Sequence, residues 1–248
     1  MTLLLAGLES IEKAKEFRKD RLNKVNNGEV WGPLSDGPYC VVHWLPISEK
    51  ALFKPDDIKS LEISKFIRMR TYSESKRLNL DGVRFYSNEK EITHPFIEGD
   101  KGRYFWNAQI FHSGALEMAF ALSFRNDPPG RRWLYPGEFI NDLWVVMDGF
   151  KKCMSHFDIT APIIIGVSLL RVLDYRFPIN SRIRFFTGDY ELHPPSDREQ
   201  ITLPEIKIEN LQEVKNIEDF ERPAFDILWQ SFGLEKCDYY DEDGKRIP

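Results

Sequence analysis

Apolar residues at Leu8, Ile11, Ala14, Leu22 and Val25 recur at roughly helical spacing, and Asn27-Gly28 supplies a stop, so the pattern predicts a helix over 8–25. Its polar side mixes Glu9, Glu12, Glu16 and Asp20 with Lys13, Lys15, Arg18, Lys19, Arg21 and Lys24. Glu9 with Lys13 and Asp20 with Lys24 stand four apart in the favourable order for ion pairing along a helix. This side is expected to be a solvated face in preference to a nucleic-acid stripe.

Further along, "PYCVVHWLPI" (38–47) is β-rich and closes at Pro46, which predicts a buried strand with His43 as a satisfied core residue and not a metal ligand. "GVRFYS" (82–87) predicts a second strand. "PIIIGVSLLRVL" (162–173) is continuously apolar, as a strand covered on both faces should be. Helical spacing returns through Phe139, Leu143, Val146, Phe150 and Met154, and again in "FERPAFDILWQSFG", which Gly233 stops. "NDPPGRRWLYPGE" reads as a loop, because its prolines and glycines break any periodicity. The acidic tail from about 236 is expected to be exposed. Together these elements predict a single α+β domain over 1–248, with a mixed, largely antiparallel sheet packed by helices.

"YFWNAQIFHSGALEMAFAL" (104–122) predicts a hairpin with Ser113-Gly114 as its turn. A two-residue turn there sets Ile110 opposite Glu117 and puts His112, Glu117, Trp106, Ala108, Ala119 and Ala121 on one face. The small residues on that face imply a closely packed helix. The opposite face carries Phe105, Phe111, Leu116, Met118, Phe120 and Leu122, interrupted by Asn107 and Gln109.

Composition narrows the class. Of 248 residues, 42% are hydrophobic and 29% charged, the balance of a globular protein with a sizeable core. A formal net charge of −5 argues against a chain that coats nucleic acid non-specifically, though not against a local basic patch. Cys40, Cys153 and Cys237 are odd in number and far apart, which favours a reducing compartment over disulfides or a thiolate zinc site. No segment approaches the ~20 apolar residues of a membrane span. The expected setting is cytoplasmic.

Candidate chemistry centres on the hairpin. A carboxylate beside an imidazole raises the imidazole's pKa, so His112 with Glu117 forms an alternative catalytic acid–base pair for a nuclease or hydrolase. The competing reading is two polar groups satisfying each other at a sheet edge, and no serine or cysteine is placed to act as a nucleophile. Asn107 and Gln109 on an apolar face need partners, either backbone or a bound ligand, since an unmet buried amide costs roughly 1–3 kcal/mol. Asn107, Gln109, His112 and Glu117 are therefore the candidate ligand- or partner-binding residues. Two basic clusters suit single-stranded nucleic acid. One holds Lys65, Arg68, Arg70, Lys76 and Arg77 with Tyr72; the other holds Arg131 and Arg132 beside Trp133 and Tyr135. Each alone also reads as a solvated surface. The five histidines show no metal-binding spacing, "DYYDEDG" fails the calcium-loop pattern, and no glycine-rich phosphate loop is present, so no metal or cofactor is expected.

Several segments occur in the order "EFRKDRLNKVNNGE", "CVVHWLP", "LNLDGV", "NAQIFHSGALE", "APIIIGVSLLRVLDY", "ITLPEIKIEN" and "RPAFDILWQSFGLEKCDYYDEDGK". As a set, from about Glu16 to Lys245, they resemble the C-terminal region of Schlafen-like, Alba-type DNA-binding proteins of bacteria. The resemblance implies no catalytic residues. In the matching hairpin that family often carries Arg or Asn near the position of His112. The Alba-type domain that precedes this region in the family is not expected here, since few residues stand before the first helix. The resemblance therefore implies a non-catalytic sensing or protein-interaction domain. It would work with a nucleic-acid-binding or effector partner, or with a separate Alba-type domain, in bacterial regulation or antiviral defence. Direct nucleic-acid binding through 65–77 and 131–135 is a further alternative.

Overall fold

A computed structural model describes residues 8–30, 37–48, 52–67, 74–87, 106–127, 131–160, 162–178, 194–214, 218–241 and 247. The elements are α1 (Ile11–Asn26), β1 (Tyr39–Pro46), α2 (Pro55–Ser60), β2 (Glu74–Asn79), β3 (Gly82–Ser87), β4 (Trp106–Phe111) and β5 (Leu116–Ala121). They continue with β6 (Phe124–Asp127), β7 (Arg131–Leu134), α3 (Pro136–His156), β8 (Ile163–Leu170), β9 (Tyr175–Arg176), β10 (Gln200–Thr202), β11 (Ile206–Ile208) and α4 (Glu218–Gln230).

Eight strands form one sheet in the order β10-β8-β1-β5-β4-β3-β2, with β11 also on β8, and every pairing in it is antiparallel. A small sheet, β6-β7-β9, includes one parallel pair. This is the α+β architecture with a mainly antiparallel sheet that the strand and helix patterns predict. No helix among the described residues is long and apolar enough to cross a membrane.

The two faces of the large sheet are buried differently. One carries Val42, Trp44, Met118, Phe120, Ile165 and Val167 into the main core, which also holds Phe139, Leu143 and Phe150 of α3 and Leu228 and Trp229 of α4. The other meets α1 in two smaller apolar clusters. Leu22 and Val25 join Tyr39, Val41, Ala119 and Leu170, while Ala14 joins Leu45, Phe111, Ala115 and Ile164. The closely packed helix implied by the small residues of β5 is thus α1, lying on Ala115 and Ala119. Ser10 caps this helix by accepting from the Lys13 amide, and Lys13 with Glu9 and Lys24 with Asp20 form the expected ion pairs.

Three expectations need correction. Residues 131–134 are a strand and not part of a loop, because Arg131–Leu134 pair with Asp127–Phe124. The segment from Cys237 is not simply exposed: Cys237 and Tyr240 are buried, and Asp238 accepts a hydrogen bond from the Trp229 indole. Tyr239 and Tyr240 there pack on Trp229 and Phe225 of α4, so composition alone misjudges it. Finally, the polar side of α1 is not wholly solvated, since Arg18 and Arg21 are among the buried residues.

Candidate functional site

The loop of the β4–β5 hairpin begins one residue earlier than the sequence suggests and is one residue longer. Phe111 donates to the Ala115 carbonyl and Gly114 donates to that of Phe111, so His112–Gly114 form a three-residue loop. Gly114 has φ +86°, the left-handed conformation that such loops place at glycine. The added residue shifts the register to Gln109 opposite Glu117 and turns β4 over relative to β5. Asn107 and Gln109 therefore share a face with Glu117, whereas Trp106 and Ala108 face the main core. His112 is in the loop, its amide bonded to the Asp81 carbonyl and its carbonyl to the Phe53 amide. The pair His112–Glu117 does not form.

Glu117 has other partners. Strand register aligns Gly166, His43, Glu117, Gln109, Arg84 and Arg77 as one row running across β8, β1, β5, β4, β3 and β2. From α1, Arg21 donates Nε and Nη2 to the two carboxylate oxygens of Glu117 at 2.8 and 2.7 Å. Its guanidinium also lies 5.2 Å from the Phe111 ring centroid. His43 Nε2 lies 3.1 Å from Glu117 Oε2.

The electrostatics follow from this geometry. Burial alone would push the Glu117 pKa up, but the hydrogen bonds and charge of Arg21, with a contribution from His43, hold it well below the carboxylate range. For His43 burial dominates, outweighing Glu117, and lowers the pKa from its ordinary value. The ring is then neutral near pH 7. Because Glu117 only accepts, the ring proton is assigned to Nε2, which leaves Nδ1 a lone pair without a partner. This satisfies most of the expectation for His43: it is buried, with one nitrogen bonded.

One turn earlier on α1, Arg18 reaches over β8. It donates to the Val167 carbonyl and Ser168 Oγ at 3.0 Å each and pairs with Glu205 at 3.2 Å. Its passage depends on Gly166, where a Cβ would lie 2.3 Å from Arg18 Nε. Burial lowers the Arg18 pKa despite Glu205, yet a guanidinium stays charged at any ordinary pH.

Toward the other end of the row, Gln109 Oε1 accepts from Arg84 Nε at 2.8 Å and from Asn79 Nδ2 at 2.9 Å. Its amide nitrogen donates to the Ile110 carbonyl and Asn79 Oδ1. Gln109 thus has the partners that its position demands. Asn107, fully buried on the same face, has none at either side-chain atom.

The basic clusters fare unevenly. Lys65 is exposed and paired with Glu62, and Lys76 donates to the carbonyls of Lys59 and Leu61. Arg68, Arg70 and Tyr72 lie outside the described residues. Arg131 and Arg132 are exposed on β7, with Arg132 5.9 Å from the Tyr175 ring centroid, but Trp133 and Tyr135 are buried. Trp133 consequently offers no free face for base stacking.

Arg18, Arg21 and Arg84 are the important residues that pattern reading passes over. Their signal exists: Ala14, Arg18, Arg21, Leu22 and Val25 form one i, i+3, i+4 stripe, and Arg84 alternates with Val83 and Phe85 in a strand. No family model, curated protein or solved structure matches the chain.

Proposed function

We propose that this is a non-catalytic sensing or protein-interaction domain acting with a nucleic-acid-binding or effector partner. The carrying observation is the condition of Glu117, the carboxylate of the alternative catalytic pair. Both its oxygens are engaged, it is fully buried beneath α1, and its pKa is held far below the range in which a carboxylate accepts protons near neutrality. It is spent on joining α1 to the sheet. The ordered resemblance to Schlafen-like, Alba-type proteins supports a bacterial regulatory or defence setting and a nucleic-acid-binding partner.

The test pairs a nuclease assay with an association assay. Purified protein incubated with DNA or RNA and a divalent metal is expected to give no cleavage that His112→Ala removes. Cleavage lost in that variant overturns the proposal. Co-expression with the product of the adjoining gene, read by mass-resolved size exclusion, is expected to yield a stoichiometric complex.

A further inference from the structure

Of the three arginines buried along the polar row, two are matched by carboxylates: Arg21 by Glu117 and Arg18 by Glu205. Arg84 is only 5% exposed, and among the described residues no carboxylate pairs with it. Glu117 and Asp81 act on it through space, and Arg21 opposes them. A buried cation without a counter-charge is costly, which makes Arg84 the unbalanced member of the row.

Its orientation is fixed. Gln109 Oε1 accepts from Nε, and Asn79 and the Ile110 carbonyl hold Gln109 in place. With Nε engaged, the guanidinium has its Nη1–Nη2 edge left for a further acceptor. Arg84 lines a cleft of about 290 Å³ together with Arg77, Leu78, Asn79 and Leu80. That volume lies near the lower end for small-molecule sites. Leu78 and Leu80 are half to three-quarters exposed there and give the cleft an apolar wall.

The geometry points to an oxyanion-binding site at this end of the row. Arg84 would clamp a phosphate or carboxylate group of a small ligand whose apolar portion rests on Leu78 and Leu80. A planar fork held on one side suits bidentate oxyanion contacts. Such a ligand supplies the missing counter-charge and, through Gln109, touches the row that holds α1. The inference names a ligand class for the sensing reading and rests on it.

Calorimetric titration of the full chain with inorganic phosphate, and separately with acetate, at ionic strength fixed by chloride, tests the site and tells the two anion sources apart. Saturable binding of at least one anion is expected, weakened about tenfold or more by Arg84→Lys, which keeps the charge but loses the fork. Asn79 is exposed, so Asn79→Asp keeps the fold while placing a competing carboxylate beside Arg84; it is expected to abolish binding even if Arg84→Lys does not fold. Absence of saturable binding, or equal binding by wild type and Asn79→Asp, overturns the site. Hydrolysis of a phosphate ester bound there would instead overturn the non-catalytic reading and leave the site standing.

Discussion

Arg21 on the first helix and Glu117 on the fifth strand, 96 residues apart, meet in a buried two-point ion pair with no solvent access to the carboxylate. Removing one partner of such a pair leaves an uncompensated buried charge. Arg21→Met should therefore lower stability by about 3–5 kcal/mol in urea unfolding. Combining it with Glu117→Gln should recover much of that loss, since neither charge is then stranded. A double variant no more stable than Arg21→Met would contradict the pairing.

Two groups in the row make stability fall on acidification, in separate windows. Glu117 titrates lower in the folded state than in the unfolded chain, so its contribution is present above about pH 4 and disappears as pH drops through the carboxylate range and below. His43 also titrates lower when folded. The unfolded chain takes up this proton first, so stability falls as pH drops below about 6.5. His43→Gln, which retains a donor for Glu117, should flatten the decline that sets in as pH drops below about 6.5 and leave the Glu117 contribution. Unfolding free energies measured from pH 3 to 8 provide the check.

Asn107 is buried with both amide atoms unmet. Asn107→Leu removes that penalty with the same number and branching of side-chain heavy atoms and should raise stability by about 1 kcal/mol. A lowered melting temperature would show that the amide has a role in the isolated protein.

Gly166 lets Arg18 cross β8 directly over the backbone. A methyl group there collides with a guanidinium already tied to Val167, Ser168 and Glu205, so the long side chain has nowhere to yield. Gly166→Ala should cost about 1–3 kcal/mol. In an Arg18→Ala background the same substitution should cost much less, and equal costs in both backgrounds would refute the crossing.

The apolar periodicities of α1, β1, β3, α3 and β8 are legible because burial repeats at 3.6 or 2 residues, and they suffice for the α+β class. Gly82–Ser87 is even bounded as its sequence suggests. The site is less legible for two physical reasons. Register depends on loop length, and whether Ser113-Gly114 or His112–Gly114 makes the turn decides which face Gln109 and Asn107 occupy; both turns suit the same residues. Arginine on an amphipathic helix also reads as surface unless its partner is known, and the partners of Arg18 and Arg21 are on distant strands. Glu117, Gln109 and Asn107 do stand out as polar residues in apolar strands, but their identity as one row with His43 and Arg84 follows only from the sheet's strand order.

That row also bears on the order in which the chain acquires structure. Arg18 binds Ser168, 150 residues later, and Glu205, 187 residues later. On a ribosome, α1 is consequently synthesised well before its last partners exist. Arg18 stays hydrated until β8 and the segment carrying Glu205 have been synthesised, because docking earlier would strand its charge. Nascent chains truncated before residue 163 should leave α1 open to protease, and chains extended past residue 205 should protect it.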